Sequence, residues 1–575
     1  MIQFEKLSYK PFQSDEYVLK EIDLEIRKGD FALLLGPSGC GKSTLTHCFN
    51  GLIPHLDQGV MEGRVIVEGK DTRQHQVHEF ASKIGLVFQN PDDQILSLKV
   101  VDEVAWGVEN LGIAHKQIVE RVDEFMEMLE ITHLKNRLTF AISGGQKQRV
   151  SIASNLAMLQ DVLILDDPTT DLDPIGKAEV VKTLEHLHRE MGMTLLVIEH
   201  DLNDLIELAN RIIVMDAGRV VYDGEPGVIL SEHYEDLLRL GVNMPQHVEI
   251  AHWVVKRETQ LKQYPTLRQD SFALLQEFDG SRGDVPAISR PAAMPLGEAV
   301  VSVRDLEFAY DPTKPVLRGL NFDIHQGEFL AIIGANGSGK TTLVNCLTGL
   351  LLPDHGQIVI DGNDTQKIKI SELAKNLGYV FQNPDHQLFA NSVADELRFS
   401  LGQDTTTDEE QERSIAKTLD IVGLGHMVNR HPFSLSRGQR QKLAVAASLI
   451  HEPRIILLDE PTTGQDRRSL GDLLDLLARL NKQGNTTIMV THDMDVVTAY
   501  ATRVIVMADG EVVLDGDREH VFYNEFEALE ALNLRPPTIV EFCRRLEGNG
   551  FPRFLTVDDL VEYVQEVRPA KNISS

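Results

Sequence analysis

"FALLLGPSGCGKST", residues 31–44, runs from five apolar residues straight into a glycine-rich turn that closes on Gly-Lys-Ser. The apolar run lacks the period-two alternation of a half-exposed strand. It therefore predicts a strand buried on both faces, as in a parallel sheet flanked by helices. The turn fits G-x-x-x-x-G-K-[ST], a phosphate-binding loop whose backbone N–H groups wrap phosphate oxygens while the next helix aims its N-terminus at them. The candidate loop residues are Gly36, Pro37, Ser38, Gly39, Cys40, Gly41, Lys42, Ser43 and Thr44. Lys42 would reach the β/γ-phosphates and Ser43 would hold Mg2+. Cys40 reads either as a small filler or, if exposed, as a thiol that ATP would shield from alkylation.

Working outward, the chain repeats this pattern. "FLAIIGANGSGKTT" (329–342) supplies Gly334, Ala335, Asn336, Gly337, Ser338, Gly339, Lys340, Thr341 and Thr342 as a second loop. "VFQNPDDQI" (87–95) returns as "VFQNPDHQL" (380–388), "ISGGQKQRV" (142–150) as "LSRGQRQKL" (435–443), and "ILDDPTTDLD" (164–173) as "LLDEPTTGQD" (457–466). "VIEHD" (197–201) is echoed by "VTHDM" (490–494). The offset is 298 residues from Lys42 to Lys340, 293 from Gln89 to Gln382 and from Asp166 to Asp459, and 292 from His200 to His492. Five elements in one order at a nearly constant offset indicate a duplicated unit. The expected organisation is an α/β unit over 1–240, a helical segment with a Pro/Gly-rich linker over 241–297, a second α/β unit over 298–522, and a helical extension over 523–575.

Composition narrows the partners. The net charge of the 575-residue chain is −31, with no long Lys/Arg run, which argues against nucleic acid held by bulk charge. Four cysteines without metal-ligand spacing read as reduced thiols. No apolar run approaches the roughly 18 residues of a membrane span, and the first residues lack a signal-peptide core. A soluble protein inside the cell is expected, with any membrane part supplied by other chains.

Asp166 and Asp459 end apolar strands, which suits Mg2+ binding, and the acids that follow, Asp167 and Glu460, would polarise an attacking water. Ser143, Gly144, Gly145 and Gln146, and likewise Ser436, Arg437, Gly438 and Gln439, open small-residue helices and present another helix N-terminus and a Ser hydroxyl for phosphate. Together with Gln89, Gln382, His200 and His492, this set resembles the ATP-binding-cassette ATPases over nearly the whole chain.

That resemblance implies two tandem nucleotide-binding domains, each with a mainly parallel sheet and a helical subdomain, binding ATP and Mg2+. It implies head-to-tail composite sites, each phosphate loop facing the other unit's signature segment. Gln89 and Gln382 would touch Mg2+ and the water, His200 and His492 the γ-phosphate, and Tyr9 and Tyr310 would stack on adenine. The "FQNPD-x-Q" wording and the tail "LNLRPPTIVEFCRRLEGNGFPRFLTVDDL" (532–560) look like the ATPases of energy-coupling-factor importers. Those ATPases drive a transmembrane coupling subunit and a small membrane protein that binds a vitamin, vitamin precursor or metal ion, which places this chain on the cytoplasmic face of the membrane. Asp102, Glu103, Asp395 and Glu396 become candidate docking carboxylates, with a solvated helix face as the alternative for at least two of them. Two other readings stay open: the fused ATPase of a sugar importer, and a soluble tandem cassette acting on ribosomes or DNA.

In the implied pairing, two departures from the family pattern share one composite site: Asp167 in place of Glu, and Arg437 in place of Gly. Asp is one methylene shorter, a retreat of roughly 1 Å, and a misplacement of that size can cost about 10²-fold in rate. Arg437 would either obstruct the phosphate or add a cation to it. The expectation is that the Glu460 site hydrolyses ATP and the Asp167 site mainly binds it.

Overall fold

The computed structural model describes residues 1–12, 14–170, 172, 174–258, 264–280, 297–402 and 407–567. The chain divides into two compact units, Met1–Phe278 and Asp279–Ser575. The Pro/Gly-rich stretch expected as a linker falls largely on 281–296, outside the described residues.

In unit one, the strands β1 (Ile2–Pro11), β2 (Leu19–Ile26), β3 (Phe31–Leu35), β4 (Gly59–Val67), β5 (Lys70–Asp71), β6 (Ile84–Val87), β7 (Val162–Asp166), β8 (Thr194–Ile198), β9 (Arg211–Asp216) and β10 (Arg219–Gly224) form two sheets. The first is antiparallel, in the order β2-β1-β4-β5. The second runs β10-β9-β3-β8-β7-β6 and is parallel except for β10. The stretch 31–35 sits in its middle and is buried throughout. Its alternate residues serve two cores: Phe31, Leu33 and Leu35 face one, and Ala32 and Leu34 face the other. This is why the run is continuously apolar.

The core under Phe31 continues into a helical subdomain. Helices Val100–Asn110, His115–Met128 and Gly144–Leu156 feed it with Val104, Val108, Val122, Phe125, Ile152 and Ala153. Two further helices, Gln246–Glu258 and Arg268–Gly280, close the unit with Val248, Ile250, Ala251 and Leu275 buried.

Unit two repeats this plan with β11 (Ala299–Phe308), β12 (Leu317–His325), β13 (Phe329–Ile333), β14 (His355–Ile360), β15 (Asn363–Asp364), β16 (Leu377–Val380), β17 (Ile455–Asp459), β18 (Thr486–Val490), β19 (Arg503–Ala508) and β20 (Glu511–Asp517). Its sheets are ordered β12-β11-β14-β15 and β16-β17-β18-β13-β19-β20. The expected α/β class and its duplication are what the structure shows. A C-terminal set of helices, Phe526–Ala531, Thr538–Leu546 and Val557–Val567, packs around Phe542, Phe554 and Tyr563, and the Tyr523 hydroxyl donates to the Phe554 carbonyl at 2.6 Å. Among the described residues no helix is long and apolar enough to cross a membrane.

Candidate functional site

Each phosphate loop joins the middle strand of the six-stranded sheet to an eight-residue helix, Lys42–Phe49 or Lys340–Leu347. Its glycines are required by conformation and by space. Gly36 has φ +143° and Gly334 +157°, and a Cβ on either would lie 2.2 or 2.3 Å from the carbonyl oxygen of Met215 or Met507. Lys42 Nζ donates to the carbonyls of Gly36 (2.7 Å) and Pro37 (3.1 Å), and Lys340 Nζ to Gly334 (2.7 Å) and Ala335 (3.0 Å). Neither helix has a side-chain cap, because Gly41 and Gly339 precede them, so the first N–H groups are left for an anion. An uncapped helix start beside a buried lysine fits a polyphosphate.

Cys40 is buried against the sheet, and burial pushes its thiol pKa up. It is the filler at the position of Ser338, not an exposed thiol. All four cysteines are unpaired and buried.

The acids stand beside these loops. Burial raises the pKa of Asp166, against hydrogen bonding from the Ser43 hydroxyl and the charge of Lys42. Burial likewise lifts Asp459 to about 6, with the charge of Glu460 adding and Lys340 and the Tyr379 hydroxyl opposing. Tyr379 has no hydroxyl counterpart in unit one, where Leu86 holds the position on β6. Among the described residues no cluster of three or more His, Cys, Asp or Glu side chains could hold a metal by itself. A Ser/Thr hydroxyl and one carboxylate suit Mg2+, which takes most of its ligands from water and substrate phosphates.

One residue further on, Asp167 and Glu460 share φ +46°, a left-handed conformation unusual for either residue type. Their surroundings differ. Glu460 Oε2 lies 2.8 Å from His492 Nδ1 and accepts the His492 backbone N–H at 3.3 Å. Asp167 Oδ2 lies 3.7 Å from His200 Nε2, and the His200 backbone N–H goes instead to Glu199 Oε1 at 3.0 Å. Glu199 was not singled out in the sequence. It is fully buried, accepts from the Thr169 N–H (3.2 Å) and hydroxyl (2.7 Å), and its pKa is pushed up by burial, with the charge of Asp167 adding.

The signature segments are helix N-termini of another kind, each closed by a capping box. Ser143 Oγ accepts from the Gln146 N–H at 3.3 Å while Gln146 Oε1 accepts from the Ser143 N–H at 3.1 Å, and Ser436 and Gln439 do the same at 3.3 and 3.0 Å. Both serines remain exposed, with the hydroxyl proton still to donate. Arg437 turns its guanidinium onto its own unit: a Cβ at Gly464 would lie 2.5 Å from Arg437 Nη1.

Three expectations are corrected. Tyr9 is buried at 2% exposure, with its hydroxyl donating to the Gln58 carbonyl at 3.0 Å, so its ring cannot stack on a base. Strand register explains this: Tyr9 pairs with Leu19 as Phe308 pairs with Leu317, which makes Tyr9 the counterpart of Phe308 and not of Tyr310. Tyr310 is 64% exposed, and the exposed aromatic near the end of β1 is Phe12. Glu103 and Glu396 are neither docking carboxylates nor solvated. Both are buried, Glu103 accepting the N–H groups of Leu96 and Ser97, Glu396 those of Phe389 and Ala390. Asp102 stands exposed, whereas Asp395 accepts from Ser392 and Arg398.

Two loops of one geometry, two strand-end acid pairs and two capped signature helices form the same set twice, and the sequence profile of the ABC transporter family matches residues 19–170 and 317–463. The chain belongs to the ABC transporter family. As a member it is an ATPase that takes ATP with Mg2+. This ABC ATPase is similar along its length to the "Putative ABC transporter ATP-binding protein" of Methanosarcina mazei, at 42% identity over 98% of this chain and 97% of that one. The "Putative HMP/thiamine import ATP-binding protein YkoD" of Bacillus subtilis is 36% identical over 94% of this chain and 96% of its own. The solved structure of cbiO1 from Clostridium perfringens, described as part of the ABC transporter complex cbiONQ, is 35% identical, covers 42% of this chain and 97% of its own, and has a TM-score of 0.38.

Proposed function

We propose that this ABC ATPase is the energy-coupling subunit of an importer of the energy-coupling-factor type, driving uptake of a vitamin, vitamin precursor or metal ion through separate membrane subunits. The observation that carries the reading is an exposed apolar surface in each unit beside the glutamine loops. Leu96, Leu98 and Trp106 are at least half exposed in unit one, and Phe389 and Phe399 in unit two. The two phenylalanines meet edge to face at 4.6 Å. Apolar side chains held out by buried Glu103 and Glu396 suit a partner that covers them. The similarity to an HMP/thiamine import protein supports a vitamin-related cargo.

In this proposal Lys42 and Lys340 hold the β/γ-phosphates. Ser43, Gln89 and Asp166, and Thr341, Gln382 and Asp459, would hold Mg2+, which would neutralise phosphate charge. Glu460 polarises the attacking water and His492 and His200 contact the γ-phosphate, with the exposed Ser143 and Ser436 hydroxyls as further phosphate donors. With its longer carboxylate in contact with His492, the Glu460 site turns over, while the Asp167 site mainly binds.

Affinity purification of the full chain from gently solubilised membranes tests the importer reading. Small polytopic membrane proteins are expected at stoichiometric level; rRNA or DNA in their place would overturn it.

A further inference from the structure

Strand register makes Glu199 and Thr491 equivalent positions. Asp166 pairs with Ile198 and Asp459 with Val490, so the next residues, Glu199 and Thr491, stand at the same place between the strand-end acid and the histidine. Each contacts the same threonine of the following turn: Thr169 Oγ1 donates to Glu199 Oε2 at 2.7 Å, and Thr462 Oγ1 lies 3.3 Å from Thr491 Oγ1. The histidine backbone N–H is shared out differently. It reaches Glu460 across the pocket in unit two, and Glu199, its own neighbour in sequence, in unit one.

The structure assigns Glu199 as a positioning residue of unit one, one that takes the His200 N–H in place of a long acid at position 167. Residues 167 and 199 thus work as a pair: Asp with Glu in unit one, Glu with Thr in unit two. The combined length is what the pocket admits. A Glu at 167 beside Glu199 would bring two buried carboxylates to one N–H donor, a repulsive arrangement. A Thr at 199 beside Asp167 would leave the His200 N–H without an acceptor within reach of either side chain. Glu199 also grips the Thr169 N–H and the Thr170 hydroxyl (3.4 Å), so it fixes the turn that carries Asp167. Among the described residues its hydrogen bonds go to Thr169, Thr170 and His200, which is why its role is to position and not to react.

The inference deepens the asymmetric reading above, resting on it for where turnover is measured. Its test is a double-mutant cycle in the full-length chain carrying Glu460→Gln, so that residual ATPase reports on unit one. Asp167→Glu alone should leave kcat at or below the Glu460→Gln background, and Glu199→Thr alone should do the same. The double variant Asp167→Glu/Glu199→Thr, which copies unit two, should exceed either by about tenfold, with KM for ATP changed less than about threefold; coupling of this size is ordinary for side chains in contact. Equal gains from Asp167→Glu with and without Glu199→Thr would overturn the pairing. Thermal melts establish that each variant is folded. Should any of these fail to fold, Glu199→Gln and Glu199→Leu decide instead: the amide oxygen of Gln still accepts the His200 N–H, so its kcat should stand about fivefold above that of Leu, and equality would overturn the assignment. If Glu460→Gln by itself keeps half of the wild-type turnover, the asymmetric reading fails while the cycle still measures the pairing.

Discussion

The phosphate loops of the two units agree closely, while the acid pockets a few ångströms away do not. Lys42 and Lys340 reach the first carbonyl of their loops at the same 2.7 Å, and the leading glycines are barred from a Cβ by the same carbonyl oxygen of a methionine. In the pockets, Glu460 touches its histidine at 2.8 Å, where Asp167 stands 3.7 Å away and Glu199 has taken over the histidine N–H. Gripping phosphate depends on backbone N–H groups and admits few alternatives. Placing a carboxylate near a water depends on side-chain length, which can be redistributed between neighbouring positions without disturbing either strand.

The sharpest way to break this comparison is to remove each carboxylate charge in turn. Glu460→Gln should lower ATP turnover by about 10²-fold, the usual contribution of a positioned general base. Asp167→Asn should cost less than about threefold. Equal losses in steady-state phosphate release would make the two pockets functionally alike and reduce their structural difference to packing.

A smaller effect concerns adenine. Tyr310→Ala should weaken ATP binding at unit two by about tenfold, the lower end of what stacking on a base contributes. Phe12→Ala should do so at unit one, read by photo-labelling with an azido-ATP and assigning the label to each unit by proteolysis. Tyr9→Ala should instead lower the melting temperature, because it empties a core position on β1. Loss of labelling selective to Tyr9→Ala would restore the sequence-based expectation.

The places where sequence and structure part share a physical cause. Continuous apolar runs and glycine spacing follow from backbone needs, so the parallel strands and both loops were legible. Tyr9 misled because a distance counted from a motif ignores strand register, which places Phe308, not Tyr310, at its position. Glu103 and Glu396 misled because acids in the first turn of a helix ordinarily face water; here each folds under to cap the preceding loop. The Glu199/Thr491 difference lay beside two histidines already singled out. Only the pairing of β7 with β8 and of β17 with β18 shows that those residues face the same acid position.

The smallest expected difference lies in the trailing helices. In unit two they bury Cys543, whose thiol burial pushes up to about 12, so it does not titrate near neutrality. In unit one they bury His247, whose pKa is lowered to about 4 by burial, with the nearby Arg268 charge adding and the Thr266 carbonyl opposing. His247 Nε2 donates to that carbonyl at 3.0 Å, while Nδ1 is buried with no hydrogen-bond partner among the described residues, so a second ring proton would have none there to donate to. The unfolded chain takes up this proton near pH 6.5 and the folded unit resists it until about pH 4. Stability from His247 is therefore complete above pH 6.5 and falls as the pH drops through that window, by up to roughly 1.4 kcal/mol per pH unit. Amide exchange over Val248–Val255 should quicken by about tenfold more between pH 7 and pH 5, after correction for intrinsic rates, than exchange over Thr538–Leu546. His247→Gln, which can still donate to Thr266, should remove the excess; an unchanged pH response in that variant would place the titrating group elsewhere.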